Sequence, residues 1–309
     1  MKKRKLIVDG TARRIRSDEV NIWYASPKEV SESNYEEWIQ KEKAWAASFN
    51  IPIGNFFIFE QGGKFPGKMC FIEEDNEHIL FAMPAIKMCP ECKNIAIDLF
   101  QLAVSEAKIR NVHRLDTFLD DCNEPYEILK DALFEVGFRL RKHKVLYSGS
   151  LDNPLEQKIE KNIEYRSVNE LSVETVKMLF IKSISESSEN IGDSFPLTAE
   201  EEFKQMWEST HFRKDLWKVA FYEQKPAGLV FLNFIEEKTG SFVYLAVMPE
   251  FRGQGFGDLI FIDGLKMFQS MGATNYLDST NVSNYRMIKI FEKNGCQKII
   301  KRMELVYQI

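Results

Sequence analysis

The sequence predicts a mixed α/β fold in which two tandem copies of one unit each form a twisted, mostly antiparallel sheet flanked by helices. The chain has 309 residues, of which 44% are hydrophobic, enough for two buried cores. Patterns typical of helices and strands recur in the same order in both halves. Short fragments of sequence also recur at equivalent places in that order, which indicates a duplication.

The second half shows the element order most clearly. Thr198 is followed three residues later by Glu201, a capping-box pattern that begins a helix. Gly272 ends a helix whose apolar residues recur every three positions between 259 and 268. The predicted strands are 164–168, 217–222, 227–234, 241–247, 276–279 and 298–307, and the remaining predicted helices are 173–184 and 284–293.

The first half repeats this order. It begins with a helix over residues 35–49, whose aromatic stripe is interpreted as part of a core. The later predicted elements are strands at 56–59, 69–73 and 78–83, a helix at 94–108, a strand at 115–119, a helix at 126–135 and a strand at 139–147. Residues 88–100 align with 247–260 with one gap, sharing Pro-Glu and Asp-Leu. We therefore predict one domain at 1–150, a linker at 151–162 and a second domain at 163–309.

Charge and composition exclude several classes of protein. The formal net charge is −5, whereas nucleic-acid binding requires a basic face, so no nucleic acid is expected as a partner. No run approaches the roughly 18 apolar residues of a membrane helix, and the basic start is followed by only three apolar residues, too few for a signal peptide. Five cysteines, an odd number, suit a reducing compartment. We expect a cytoplasmic monomer or homodimer without a membrane partner.

A single Cys-x-x-Cys motif lies in the first half. Cys89 and Cys92 have no second ligand pair nearby, so the sequence predicts no metal site. If a helix begins at Cys92, its amino terminus would lower the pKa of that thiol. The motif is interpreted as two ordinary reduced thiols, with a redox role left open.

A glycine-rich segment in the second half carries the chemistry. Residues 247–257 read Val-Met-Pro-Glu-Phe-Arg-Gly-Gln-Gly-Phe-Gly, at the point where a predicted strand ends and a helix begins. A helix amino terminus leaves about four backbone N–H groups unpaired and carries partial positive charge. Glycines let a diphosphate approach these groups closely. The spacing differs from that of dinucleotide-binding and phosphate-loop motifs.

The motif as a whole resembles the acetyl-coenzyme A signature of the GNAT superfamily. Its members are Val247, Pro249, Glu250, Arg252, Gly255 and Gly257, followed by Asn284 and by residues 290–295. The resemblance implies two tandem GNAT-like domains, with acetyl-CoA as cosubstrate. It also implies an acyltransferase that moves the acetyl group directly onto an amine of a small molecule or peptide.

The resemblance assigns roles to individual residues. Backbone groups of Leu245, Ala246 and Val247 would pair with the pantetheine arm, and the Val247 amide would polarise the thioester carbonyl as an oxyanion donor. Asn284 would hold the coenzyme near its pantetheine, beside Phe291 of the motif. The pyrophosphate would be held by Gly253, Gln254, Gly255, Phe256, Gly257 and Asp258, and Arg252 is also assigned to the coenzyme site.

The usual acid and base of the family are missing. Many members have tyrosine at Phe291, and others have glutamate at Ser279 or a base at Ser241. Asp278 is a candidate base if the strand register allows it. Tyr285 is a candidate acid, as is Tyr244, and water is the alternative proton donor.

The first copy departs further from the motif. It has Lys93 and Ala96 where the second copy has Arg252 and Gly255, and Tyr126 where the second has Asn284. Without glycines in the turn, we predict that this half binds no coenzyme and instead supports the active half or walls the acceptor site. The acceptor cleft itself is expected at residues 185–196, which include Glu186, Glu189 and Asp193; the alternative is a solvated loop.

Three functions remain open. The first is an amine acetyltransferase. The second is a non-catalytic acyl-CoA-binding or sensing protein, which the missing acid and base favour. The third is an aminoacyl transferase of the Fem type, which also has tandem copies of this fold; the net charge of −5 and the loop at 252–257 count against it.

Overall fold

The computed structural model describes residues 10–27, 35–74, 79–123, 125–152, 161–184 and 197–309. Its strands are β1 Thr11–Arg14, β2 Phe56–Gln61, β3 Lys64–Glu74, β4 Ile79–Ile86, β5 Arg114–Asp120, β6 Arg139–Ser150, β7 Ile163–Ser167, β8 Trp217–Tyr222, β9 Lys225–Glu236, β10 Thr239–Val247, β11 Asn275–Asn281 and β12 Gln297–Gln308. Its helices are α1 Val20–Ala25, α2 Tyr35–Ser48, α3 Cys92–Ile109, α4 Tyr126–Val136, α5 Val173–Ile184, α6 Ala199–Glu208, α7 Phe256–Ser270 and α8 Tyr285–Lys293.

The chain forms two compact units with the same strand arrangement. Unit 1 comprises residues 1–142 and 302–309, and unit 2 comprises residues 143–301. In unit 1 the strand order is β1-β2-β3-β4-β5-β12, and in unit 2 it is β7-β8-β9-β10-β11-β6. In each order the fourth and fifth strands run parallel and the other pairs run antiparallel. This shared topology is that of two copies of one mixed α/β unit.

The sixth strand of each unit comes from the other half of the sequence. Residues 144–150 of β6 pair with β11, in a register that sets Tyr147 opposite Asp278. Residues 302–308 of β12 pair with β5, in a register that sets Leu305 opposite Thr117. The compact units therefore differ from the contiguous division 1–150 and 163–309, because strand pairing rather than sequence order decides which residues share a core.

Each unit has its own apolar core. In unit 1, α3 packs its buried face on the sheet, with Leu99 and Phe100 fully buried. In unit 2, α7 covers one face of the sheet around Phe261 and Tyr276. The other face carries α5 and α6, whose Phe180 and Phe203 pack on Trp217 of β8. Unit 2 thus has two cores, one on each face of its sheet.

The predicted element order is confirmed, and two short elements were missed. β1 and α1 were not predicted, since neither contains enough apolar periodicity to stand out. The capping box of α6 is present: the Thr198 hydroxyl accepts from the Glu201 amide, and Glu201 caps in return. No helix in the described ranges combines the length and apolarity needed to cross a membrane.

The strand exchange, in which β12 pairs with β5 and β6 pairs with β11, predicts how two substitutions on β12 affect stability. Leu305 is 1% exposed in the unit 1 core, whereas Ile299 on the same strand is 49% exposed. L305A should lower the free energy of unfolding by about 2–5 kcal/mol through lost burial and a cavity, and I299A by less than about 1 kcal/mol. Hydrogen exchange in L305A should increase in β5, which pairs with this segment. Equal effects of the two variants would contradict the assignment of residues 302–309 to unit 1.

Candidate active site

The strands β10 and β11 separate soon after they begin. Their parallel pairing comprises only Thr239 with Asn275 and Gly240 with Tyr276. Beyond that point β10 keeps its antiparallel pairing with β9, with an irregularity in register between Phe242 and Tyr244. β11 meanwhile remains paired with β6 along its full length. A slot therefore opens between β10 and β11. On its β10 side lie backbone N–H and C=O groups that pair with no neighbouring strand among the described residues.

The hydrogen-bonding alternation of β10 decides which groups face this slot. The Met248 amide donates to Ala227 O at 2.9 Å, on the β9 side. Antiparallel pairs alternate, so Ala246 also directs its N–H and C=O toward β9, while those of Leu245 and Val247 point to the slot. Of the three residues predicted to pair with a pantetheine arm, the structure places two with their backbone groups on the open edge.

The glycine-rich segment forms a tight turn at the end of β10. Gly253 and Gly255 have φ of 75° and 84°, left-handed values that favour glycine. The first intrahelical bond of α7 runs from the Leu259 amide to Gly255 O, so the amides of Phe256, Gly257 and Asp258 precede it. These are the donors that a helix amino terminus offers to an anion.

At Gly257, side-chain packing rather than backbone conformation favours glycine. A Cβ at this position would lie 2.9 Å from Ile290 Cδ1, on α8. Its missing side chain therefore allows α7 and α8 to pack closely. A Cβ on Gly253, by contrast, would meet nothing within 4 Å, so its backbone conformation alone favours glycine there.

Arg252 holds the turn to two neighbouring elements. Its Nε donates to Val247 O at 3.2 Å and its Nη2 donates to Ser183 O at 2.7 Å. Gln254 Nε2 donates to Glu250 O at 2.8 Å within the turn. The Arg252 guanidinium thus joins the end of β10 to the last turn of α5.

A lysine outside the predicted motif lies beside the turn. Lys161 Nζ donates to Gln254 O at 3.0 Å and lies 3.9 Å from the centroid of the Phe256 ring. The carboxylate of Asp258 is paired with Lys293, and its buried Oδ1 has no hydrogen-bond partner in the part of the chain that the structure describes. The motif carries no signal for Lys161, since the lysine is distant in sequence and only folding brings it here.

Comparison with known proteins agrees with this geometry. Residues 184–296 match the model of the Acetyltransferase (GNAT) family. This segment is a GNAT domain. The match contains β10, the glycine turn, α7, β11 and α8, which are the elements that form the slot. No curated protein matches the chain.

Solved structures extend the likeness to the whole chain at the level of the fold. A GCN5-related N-acetyltransferase from Sphaerobacter thermophilus superposes with a TM-score of 0.57 at 12% identity, covering 97% of this chain and 96% of that one. A tandem GNAT protein from the clavulanic acid biosynthesis pathway gives 0.50 at 11% identity, covering 97% and 98%. The chain therefore has the fold of two tandem GNAT-like domains, the first of them degenerate.

In the GNAT domain, the remaining predicted residues have varied surroundings. Asn284 caps α8: its Oδ1 accepts from the Met287 amide at 3.2 Å, and its Nδ2 donates to Thr280 Oγ1 at 3.0 Å. Phe291 is 1% exposed and packs on Tyr147, with ring centroids 4.8 Å apart. Tyr285, the candidate acid, is 71% exposed at the start of α8. Glu186, Glu189 and Asp193 lie outside the described residues.

Asp278 lies where the two strands part. Its Oδ2 accepts from the Phe242 amide at 2.9 Å and from the Tyr276 hydroxyl at 3.1 Å, and its Oδ1 from the Ser279 amide at 2.7 Å. The carboxylate therefore takes the place of the backbone carbonyl that a paired strand would offer to the Phe242 amide. Burial raises its pKa to about 6, against the hydrogen bonds from Ser279, Phe242 and Tyr276, which lower it. The candidate base therefore already accepts hydrogen bonds at the foot of the slot, which is the point where β10 and β11 part.

The equivalent turn of the first copy lacks these features. α3 begins at Cys92, two residues before the predicted start at residue 94, and no residue from 86 to 109 has positive φ. Cys92 is 1% exposed and therefore inaccessible to solvent, and burial raises the pKa of the Cys89 thiol, which disfavours a reactive thiolate at Cys89. Among the described residues no cluster of His, Cys, Asp and Glu could hold a metal ion.

A polar cavity of about 620 Å³ lies at the paired end of β10 and β11. Ser148 and Ser150 of β6 line it together with Glu236, Thr239 and Asn275. β6 belongs to the first copy in sequence. The first copy therefore contributes polar side chains to a cavity of unit 2.

The raised pKa of Asp278 predicts a pH-dependent stability. Since the folded-state pKa of about 6 lies above the ordinary 3.8, the folded state binds this proton more tightly. Relative to D278N, the wild-type free energy of unfolding should rise by up to about 3 kcal/mol as pH falls from about 7 to about 4, and this gain is lost as pH rises through 6. Urea titrations at several pH values measure it.

The exposed Asp152 supplies the control, and D152N should follow the wild-type curve. Wild-type and D278N curves that run parallel over this range would contradict the burial of a carboxyl group at the foot of the slot.

Proposed function

We propose that this protein is an N-acetyltransferase that moves the acetyl group of acetyl-CoA directly onto an amine of a small molecule or peptide. The observation that carries the proposal is the slot between β10 and β11, which leads to a left-handed glycine turn and the amino terminus of α7. The turn lies within the segment that matches the GNAT family. A solved structure of this fold is described as lacking its AcCoA, which supports the same coenzyme here.

The residues fit an elongated anionic coenzyme. The Leu245 backbone faces the slot and would pair with the amides of the pantetheine arm, while the Val247 amide faces the slot further along β10. The amides of Phe256, Gly257 and Asp258 would hold the pyrophosphate, where charge-assisted hydrogen bonds contribute about 1.5–3 kcal/mol each. Lys161 adds a positive charge at the same turn. Arg252 would act by ordering the turn, because its guanidinium already joins Val247 O and Ser183 O.

The chemistry requires a neutral amine and a positioned thioester. The amine nitrogen attacks the carbonyl carbon, and a backbone N–H on the open edge of β10 stabilises the oxyanion. The C–S bond then breaks, one proton leaves the nitrogen and one proton joins the sulfur. We propose the amide of Val247 as the oxyanion donor.

The first copy has a structural role in this proposal. It binds no coenzyme, since the turn before α3 lacks left-handed glycines, and its strand β6 walls the polar cavity of unit 2. The cavity is lined by hydroxyl groups, side-chain amides and the carboxylate of Glu236, and it lies at the end of β10 opposite to Val247.

A coenzyme-binding sensor is the second candidate. Phe291 is buried in the core and carries no hydroxyl, Tyr285 is exposed, and Asp278 is engaged at the foot of the slot. Release of free thiol from acetyl-CoA, measured with a panel of small-molecule and peptide amines, separates the two. A sensor binds acetyl-CoA and releases no thiol with any amine.

The coenzyme assignment predicts a selective loss of affinity. G255V should weaken acetyl-CoA binding at least thirtyfold by calorimetry, because valine at φ of 84° forces the turn to relax and moves the donors of α7. G272V is the matched control: φ is 90° there, and the residue follows the other end of α7. Both should cost at least about 1–2 kcal/mol of stability, but G272V should bind acetyl-CoA normally.

Equal affinity of wild type and G255V, in protein that unfolds cooperatively, would remove the assignment of this turn to the coenzyme. A parallel loss of affinity in G272V would show instead that general destabilisation caused the effect.

A further inference from the structure

Apart from Tyr244, the candidate acids and the candidate base are poorly placed for the reaction. Phe291 lacks a hydroxyl and is buried, and Tyr285 is 71% exposed. Asp278 accepts hydrogen bonds at the foot of the slot, where its partner is Phe242, five residues before Val247. Five residues of strand span roughly 16 Å. The carboxylate is therefore distant from the end of β10 that meets the glycine turn.

Tyr244 lies on β10 between the register irregularity and Leu245. Its hydroxyl is 2.9 Å from Ser183 Oγ, on the last turn of α5. Its ring packs against Phe180 at 4.5 Å and Phe231 at 6.1 Å between centroids, on the face of the sheet opposite α7. Ser183 is 3% exposed, so this hydroxyl pair is shielded from bulk water on one side.

The same pair is joined to the glycine turn. Ser183 O accepts from Arg252 Nη2 at 2.7 Å, while Arg252 Nε donates to Val247 O at 3.2 Å. One guanidinium therefore links Ser183 with the strand residue whose backbone faces the slot. The hydroxyl pair is held beside the segment of β10 along which the coenzyme arm would lie.

The hydrogen-bond direction at rest follows from the acceptors. Ser183 Oγ is 2.7 Å from Phe180 O, and a carbonyl oxygen only accepts, so the Ser183 proton points there. With the Ser183 proton directed to Phe180 O, the Tyr244 hydroxyl is the donor to Ser183 Oγ; either oxygen of this pair can donate. If Tyr244 loses its proton, Ser183 can turn its own hydroxyl toward the phenolate and stabilise it.

We propose that Tyr244 is the general acid of this GNAT domain and that Ser183 is its positioning residue, an inference that rests on the proposed acetyl transfer. As the C–N bond forms and the C–S bond breaks, the Tyr244 hydroxyl gives its proton to the departing sulfur. The resulting phenolate, held by Ser183, takes the proton that the amide nitrogen releases. The products are the acetylated amine and free coenzyme A, and Tyr244 is restored.

The test compares Y244F, S183A and the control Y307F, on β12 in unit 1, with acetyl-CoA and an amine that the wild type accepts. Y244F should lower kcat by about 10²–10³-fold and leave acetyl-CoA affinity within about threefold, since the ring packing is kept. S183A should lower kcat about tenfold. The double variant should resemble Y244F alone, because both act in one step. Y307F should retain wild-type kcat.

The pH dependence of kcat distinguishes a positioning role of Ser183 from a purely structural one. In S183A the phenolate loses its donor, so the basic limb of the kcat profile at saturating amine should move to higher pH. Y244F with kcat within threefold of wild type, or an unmoved limb in S183A, would overturn the proposal. Wild-type protein that binds acetyl-CoA yet acetylates no amine would instead overturn the proposed function, and the proton-transfer role with it.

Discussion

The separation of β10 from β11 is the constraint on which the rest of this structure depends. At the point of separation, the Asp278 carboxylate takes the Phe242 amide that a neighbouring strand would otherwise satisfy. A buried N–H without a partner would cost about 1–3 kcal/mol, so the carboxylate makes the divergence tolerable. Beyond it, the backbone of Leu245 and Val247 faces an open edge, which a linear ligand with its own amides can complete.

The first copy shows how the corresponding pair of strands, β4 and β5, differs in a unit that lacks the glycine turn. Its Leu-Asp-Thr at 115–117 corresponds to Leu-Asp-Ser at 277–279, yet Asp116 pairs with Arg114 and Arg141. Three residue pairs join β4 and β5, and the Thr117 hydroxyl adds a bond to Ala82 O. The fold survives because its core and strand order do not depend on the glycine turn. The exchanged sixth strands make each unit incomplete without residues from the other half.

Arg252 connects the two parts of the GNAT domain that the proposed reaction needs. The motif assigns Arg252 to the coenzyme site, and in the structure its guanidinium donates to Val247 O and Ser183 O. The order of the turn is thereby tied to the end of α5, where Ser183 meets Tyr244. A bound pyrophosphate that stabilises the turn would also stabilise this hydroxyl pair, so the proposed coenzyme site and the proposed proton-transfer site would share one support.

Local signals in the sequence were sufficient for the described helices and strands other than β1 and α1, for the duplication and for the glycine turn. Apolar periodicity, the Thr198 capping box and the glycines at 253 and 255 act over a few residues, so they are legible without a fold. The sequence did not reveal the strand exchange, the place of Lys161 beside Gln254 or the engagement of Asp278 with Phe242. Each joins residues distant along the chain, and only tertiary packing decides which distant groups meet.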